Sequence, residues 1–133
     1  MLRMANQPSS PAGGLRLSAA TISSPDPRAL ADFYARLLKW ETAASEPDWV
    51  VLQNPFGGPG VSFHIDEHYV RPVWPSAGGN QQMMMHLDIG VDDLDQGSAH
   101  AAACGAVAAE HQPQEDVRVF LDPDGHPFCL FVH

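Results

Sequence analysis

Apolar and polar positions change period along the chain, and those changes mark out its elements. Leu15 to Ile22 is strand-compatible and breaks at Ser23-Ser24-Pro25-Asp26-Pro27. Asp26 before Pro27 predicts a helix start, because the carboxylate accepts from free N–H groups and proline needs none at the first helical position. Leu30, Phe33, Tyr34, Leu37 and Leu38 then recur at helical spacing as one apolar stripe. Strands are predicted around Trp40 to Ala44, at Trp49 to Leu52 and at Val61 to Ile65, with the loop Asn54 to Gly60 between the last two. Asp66 to Gln82 carries Pro72, Pro75, Gly78 and Gly79, which suits a connector.

The pattern then restarts. Met83 to Val91 reads as a strand, and Asp92-Asp93 caps an Ala-rich helix from Leu94 to Cys104 that Gly105 ends. Strands are expected near Ala106 to Glu110, Val117 to Leu121 and Phe128 to Val132, with Asp122-Pro123-Asp124-Gly125 as a tight turn between the last two. The helix starts Asp26 and Asp93 lie 67 residues apart, and that offset pairs Ala19 with His86. The expected fold is therefore α+β, with two tandem strand–helix–strand–strand–strand (βαβββ) modules. Residues 1–14, rich in Pro, Ser, Gly and Gln, are expected to be a disordered leader. Residues 15–133 make one domain, with module one over about 15–66, the linker over about 67–82 and module two over about 83–133.

Composition narrows the function classes. A chain of 133 residues with 44% hydrophobic content can build one core without disulfides. Two cysteines, Cys104 and Cys129, are too few for a secreted scaffold and read as free thiols in a reducing, cytoplasmic setting. Seven basic against sixteen acidic residues give a net charge of −9, which repels nucleic acid. No apolar run reaches the roughly 18 residues of a membrane helix.

Two signatures resemble a known family. His86-Leu87-Asp88-Ile89-Gly90-Val91-Asp92-Asp93-Leu94-Asp95 resembles the first strand and helix start of a second module in the vicinal-oxygen-chelate superfamily. That superfamily includes glyoxalase I, bleomycin-resistance proteins and extradiol dioxygenases. Asp122-Pro123-Asp124-Gly125-His126-Pro127-Phe128-Cys129-Leu130 resembles its last hairpin, with cysteine where a glutamate usually stands. Asp26-Pro27, Phe33-Tyr34 and Leu37-Leu38-Lys39-Trp40 resemble its first helix and exit, with Lys39 in place of a glycine. The resemblance implies a cupped mixed sheet with helices on its outer face, a small-molecule ligand in the concave face, and a homodimer.

Alternation along the strands, read on that topology, points His64, His86, Asp88, Met84 and Cys129 into the cup. The superfamily's metal enzymes take His, Gln and Glu ligands from the first and last strands of each module. The matching positions are Ala19, approximately His64, His86 and Cys129, so Ala19 opposes His86 and His64 opposes Cys129. His64, His86 and Cys129 are thus candidate ligands for a divalent Zn, Ni, Mn or Fe ion, and an absence of any metal is an equal expectation. His86 is the candidate catalytic residue. Trp49, Tyr69 and Trp74, with Asp88 and Met84, are candidate ligand-binding residues, aromatic walls suiting a flat apolar molecule. Trp49 fits ordinary core as well. Arg71 and Arg118 can pair with an anionic ligand or lie on the surface. Three functions stay open: a glyoxalase/bleomycin-resistance-like protein binding a small, partly apolar molecule, a metal-dependent lyase, isomerase or dioxygenase acting through His86, or a regulatory or scaffold role that keeps the fold without chemistry.

Overall fold

The computed structural model describes residues 12–133; the part of the expected leader over residues 1–11 lies outside them, and Ala12–Gly14 form a single 3-10 turn. Module one runs β1 (Ala19–Ser24), α1 (Pro27–Leu38), β2 (Glu41–Glu46), β3 (Trp49–Gln53) and β4 (Gly60–Ile65). Module two runs β5 (Leu87–Val91), α2 (Leu94–Cys104), β6 (Val107–Ala108), β7 (Val117–Leu121) and β8 (Pro127–Val132). Each module folds its strands into a four-stranded mixed sheet, ordered β1-β4-β3-β2 and β5-β8-β7-β6. The first and last strands of each module pair in parallel, and the other pairs are antiparallel.

Capping sets both helices. The Asp26 carboxylate accepts from the Ala29 N–H, and the Asp93 carboxylate accepts from the Gln96 N–H. Both helices end in a left-handed residue. Gly105 takes φ 111 after α2, a conformation open to glycine, whereas Lys39 takes φ 60 after α1 and carries a Cβ into it.

The repeat holds through the hydrogen-bond register. Ala20 pairs with Val61 and Leu87 with Phe128, so both partners sit 67 residues on in the second copy. This corrects one expected correspondence. Thr21 pairs with Ser62 and Asp88 with Cys129, so the counterpart of Cys129 is Ser62, while His64 corresponds to Phe131. A shift of two residues keeps a side chain on the same sheet face, so alternation alone cannot separate Ser62 from His64.

Two strands begin later than their composition suggests. β1 starts at Ala19 because its partner starts at Gly60, and Leu15 and Leu17 stay exposed. β5 starts at Leu87 rather than Met83, because β8 offers partners only from Phe128 onward. β6 has only two residues, where five were expected over 106–110.

One core serves both modules. Leu30, Phe33, Tyr34 and Leu37 of α1 pack on Val50, Leu52, Val61 and Phe63 of the first sheet. Phe33 and Tyr34 also reach Phe128 of the second sheet, with ring centroids 6.1 and 6.0 Å apart. Tyr34 stacks on Phe63 at 5.5 Å. The two sheets are thus joined through the helical layer by aromatic contact and not by a continuous strand ladder.

Candidate functional site

The edge strands β1 and β5 leave a space between the modules, which the connector covers. This cavity has a volume of about 580 Å³. Its walls are Ala19 to Ser23 of β1, Tyr34 of α1, Leu87 of β5, and His126-Pro127 of the last hairpin. The connector adds Asp66, His68, Tyr69, Val70 and Pro72, then Gln81 to His86. Of the expected ligand-binding residues, Tyr69 and Met84 line it, and so does His86. Met84 lies just before β5, largely exposed, rather than on a strand.

His86 also borders a second, shallower space of about 350 Å³ over the second sheet, with Asp88, Cys129, Gln114 and Asp116. Here the His86 Nε2 lies 3.0 Å from Asp88 Oδ1. One ligand atom each from His86, Asp88 and Cys129 falls within 4.8 Å of the others. Burial, with the Asp88 charge and its hydrogen bond, pushes the Cys129 thiol above its ordinary value. The set offers nitrogen, oxygen and sulfur donors of the kinds that divalent zinc accepts. A tetrahedral ion wants ligand atoms roughly 3.5 Å apart, so these side chains fit one after closing by about an ångström.

His64 is not part of that group. It lies on β4, its Nε2 2.9 Å from the Ser23 hydroxyl, beside Trp49 of β3. Trp49 is 44% exposed, so it is not core, and it does not line the cavity. Trp74 turns the other way: its indole N–H donates to the His111 carbonyl at 3.2 Å. Arg71 donates to the Pro123 carbonyl and Arg118 to the carbonyls of Glu115 and Val117.

Sequence reasoning passed over a buried polar cluster at the cavity wall. Asp122 opens the turn before β8, and its side chain has no solvent exposure. Its Oδ2 accepts from the Tyr34 hydroxyl at 2.7 Å, and its Oδ1 accepts from the N–H groups of Asp124 and His126 at 2.9 Å each. The His126 ring lies 2.8 Å from Asp122 Oδ2 through Nδ1 and 2.9 Å from the Ser23 carbonyl through Nε2. The Ser24 hydroxyl donates to Asp124 and the Tyr69 hydroxyl to the Asp124 carbonyl. Burial comes first among the forces raising Tyr34, Tyr69 and Asp124, with the Asp122 charge adding to each. The cluster therefore clasps the last hairpin of module two to β1, α1 and the connector. Gly125 permits the approach, since a Cβ there would lie 2.5 Å from the Arg71 Cγ. The signals in the sequence were a polar-tipped Tyr34 on an otherwise apolar stripe and His126 directly after the turn glycine, where it reads as bracing the hairpin.

The comparisons agree with this architecture. The profile of the family described as glyoxalase-like domain matches residues 19–131. A glyoxalase/bleomycin resistance protein/dioxygenase family enzyme from Burkholderia phytofirmans PsJN superposes with a TM-score of 0.66 at 20% identity, over 87% of this chain and 97% of that one. The fosfomycin resistance protein FosX from Mesorhizobium loti gives 0.63 at 17% identity, over 88% and 91%. The oxidase ChaP-H2 gives 0.64 at 19% identity, over 90% and 94%. At such identities these neighbours speak to fold alone. Among curated proteins none matches the chain. The profile spans both modules, and the chain belongs to the glyoxalase-like domain family of the vicinal-oxygen-chelate superfamily.

Proposed function

We propose that this protein binds a small, partly apolar molecule in the cavity between its two modules. The observation that carries this reading is the cavity itself: about 580 Å³ walled by both modules and by the connector, within the range of small-molecule sites. Ile22, Val70, Met83 and Leu87 supply apolar wall, and Asp66 and Tyr69 add polar groups to it. Two unpaired cysteines support a reducing, cytoplasmic setting. Trp49, exposed on the first sheet, supports pairing with a second copy. The test is a thermal-shift screen of apolar small molecules, in which a ligand at 100 times its Kd stabilises by about 2.7 kcal/mol. Ala19→Trp, which fills the cavity from its edge strand, should abolish the shift. A shift that survives this plug would refute the cavity as the site.

A second reading is favoured by the meeting of His86, Asp88 and Cys129. In it the chain is a metal-dependent lyase, isomerase or dioxygenase acting through His86. A bound Zn, Ni, Mn or Fe ion would supply Lewis-acid polarisation of a substrate oxygen. His86 faces both spaces, so it would place that chemistry at the edge of the ligand cavity. Calorimetric titration with Zn²⁺ tests it. Stoichiometric binding lost in both Cys129→Ser and Asp88→Asn supports the reading, and binding unchanged in either variant refutes it.

A further inference from the structure

The hydrogen-bonding character of the cavity wall restricts what the cavity can hold. The Tyr34 hydroxyl donates to Asp122 at 2.7 Å and the Tyr69 hydroxyl donates to the Asp124 carbonyl at 2.7 Å. Both hydroxyls stay protonated, because burial raises each tyrosine above its ordinary value. The His126 ring nitrogens lie 2.8 Å from Asp122 Oδ2 and 2.9 Å from the Ser23 carbonyl, with the Tyr69 hydroxyl 3.2 Å from Nε2, so both face protein groups rather than the cavity. His86 Nε2 faces Asp88, and Gln81 donates to the Gln82 carbonyl. What these groups leave toward a ligand is chiefly the acceptor capacity of Asp66, which also lines the wall and whose Oδ1 accepts from the His68 N–H. Donors remain on Thr21, Ser23, His68, Gln81 and Gln82, and none of them is a lysine or arginine.

Lysine and arginine are missing from the same wall among the described residues. Arg16, Arg28, Arg36, Lys39, Arg71 and Arg118 are the positive side chains among the described residues, and none of them lines the cavity. Arg71 is held on the hairpin by Pro123, and Arg118 by its own strand. An anion entering would lose its hydration without a partner charge and would meet Asp66 in a chain of net charge −9. An amine or hydroxyl would meet acceptors already in place.

We propose that the cavity selects molecules that carry a protonated amine or a hydroxyl on an apolar body, and rejects carboxylates and phosphonates. This rests on the cavity being the ligand site, and it adds the substrate class to that reading.

Three probes with one apolar body test it by calorimetry on the full chain: 1-naphthylmethylamine, 1-naphthalenemethanol and 1-naphthoate. The expected order is amine, then alcohol, then carboxylate, with about a tenfold or greater loss from amine to carboxylate. Asp66→Asn should weaken the amine several-fold and narrow its advantage over the alcohol. Carboxylate binding as tight as amine binding would overturn the proposal. If all three bind equally and Ala19→Trp abolishes all three, the cavity reading stands and the selectivity falls. If none binds, both fall.

Discussion

Replacing Tyr34 with phenylalanine isolates one bond in the clasp between the modules. The ring is buried and packs edge-on to Phe33 at 4.8 Å and face-on to Phe63 at 5.5 Å, and phenylalanine keeps those contacts. What disappears is the hydroxyl donor 2.7 Å from Asp122 Oδ2. A hydrogen bond to a charged group contributes about 1.5–3 kcal/mol. Oδ2 keeps the His126 ring at 2.8 Å and Oδ1 keeps two backbone donors, so the carboxylate is not orphaned. The expected loss is therefore at the lower end, about 1.5–2 kcal/mol. Asp122→Ala is different in kind, because it strands the Tyr34 hydroxyl, the His126 ring and two N–H groups together. Its expected cost is about 3–5 kcal/mol, since each buried donor left without its acceptor costs about 1–3 kcal/mol. Urea unfolding at pH 7 measures both, provided the slope with denaturant is unchanged. The double variant should show coupling, because the two sites share one bond. A Tyr34→Phe protein within about 0.5 kcal/mol of wild type, the range of an ordinary surface change, would refute the clasp as a stabilising element.

Other sites give independent checks. Lys39→Gly should stabilise by about 0.5–1 kcal/mol in urea, because Lys39 holds φ 60 at the end of α1; a destabilised variant would show that the side chain matters more than the backbone. In a Cys104→Ser background, Asp88→Asn should speed alkylation of Cys129 at pH 8. It removes the carboxylate that, after burial, raises the thiol, so the thiolate fraction grows. An unchanged rate would disconnect the two groups. Asp124 is raised in the folded protein, chiefly by burial, with the Ser24 hydrogen bond opposing. A raised carboxyl contributes stability that is complete below its unfolded value and is lost as pH rises through the folded one. The stability of wild type relative to Asp124→Asn should therefore fall as pH rises from about 4, and a flat difference would contradict the burial of this carboxyl.

Much of the fold could be read from local chemistry. Asp26-Pro27 and Asp93 cap helices where their oxygens predict, and the stripe of Leu30, Phe33, Tyr34 and Leu37 is the buried face of α1. The 67-residue repeat survives down to the pairing of Ala20 with Val61 and Leu87 with Phe128. These features depend on residues near in sequence, or on a period the chain carries along its length. Strand starts were less legible, because β1 and β5 begin where a partner strand begins and not where apolar composition begins.

The candidate sites divide the same way. Alternation along the strands, read on the family topology, was enough to put Asp88 and Cys129 on one sheet face, and they pair in the register. Register, which a period of two leaves open, belongs to tertiary structure. It set Ser62 rather than His64 opposite Cys129, and placed His64 against Ser23. Tertiary structure also turned Trp74 onto His111 and drew Tyr69 and Met84 to the cavity. Above all it buried Asp122, a turn residue by sequence, among donors from positions 88 residues away in the chain and from its own loop. Burial and hydrogen bonding of that kind depend on which surfaces meet, and only the packing of the two modules decides that.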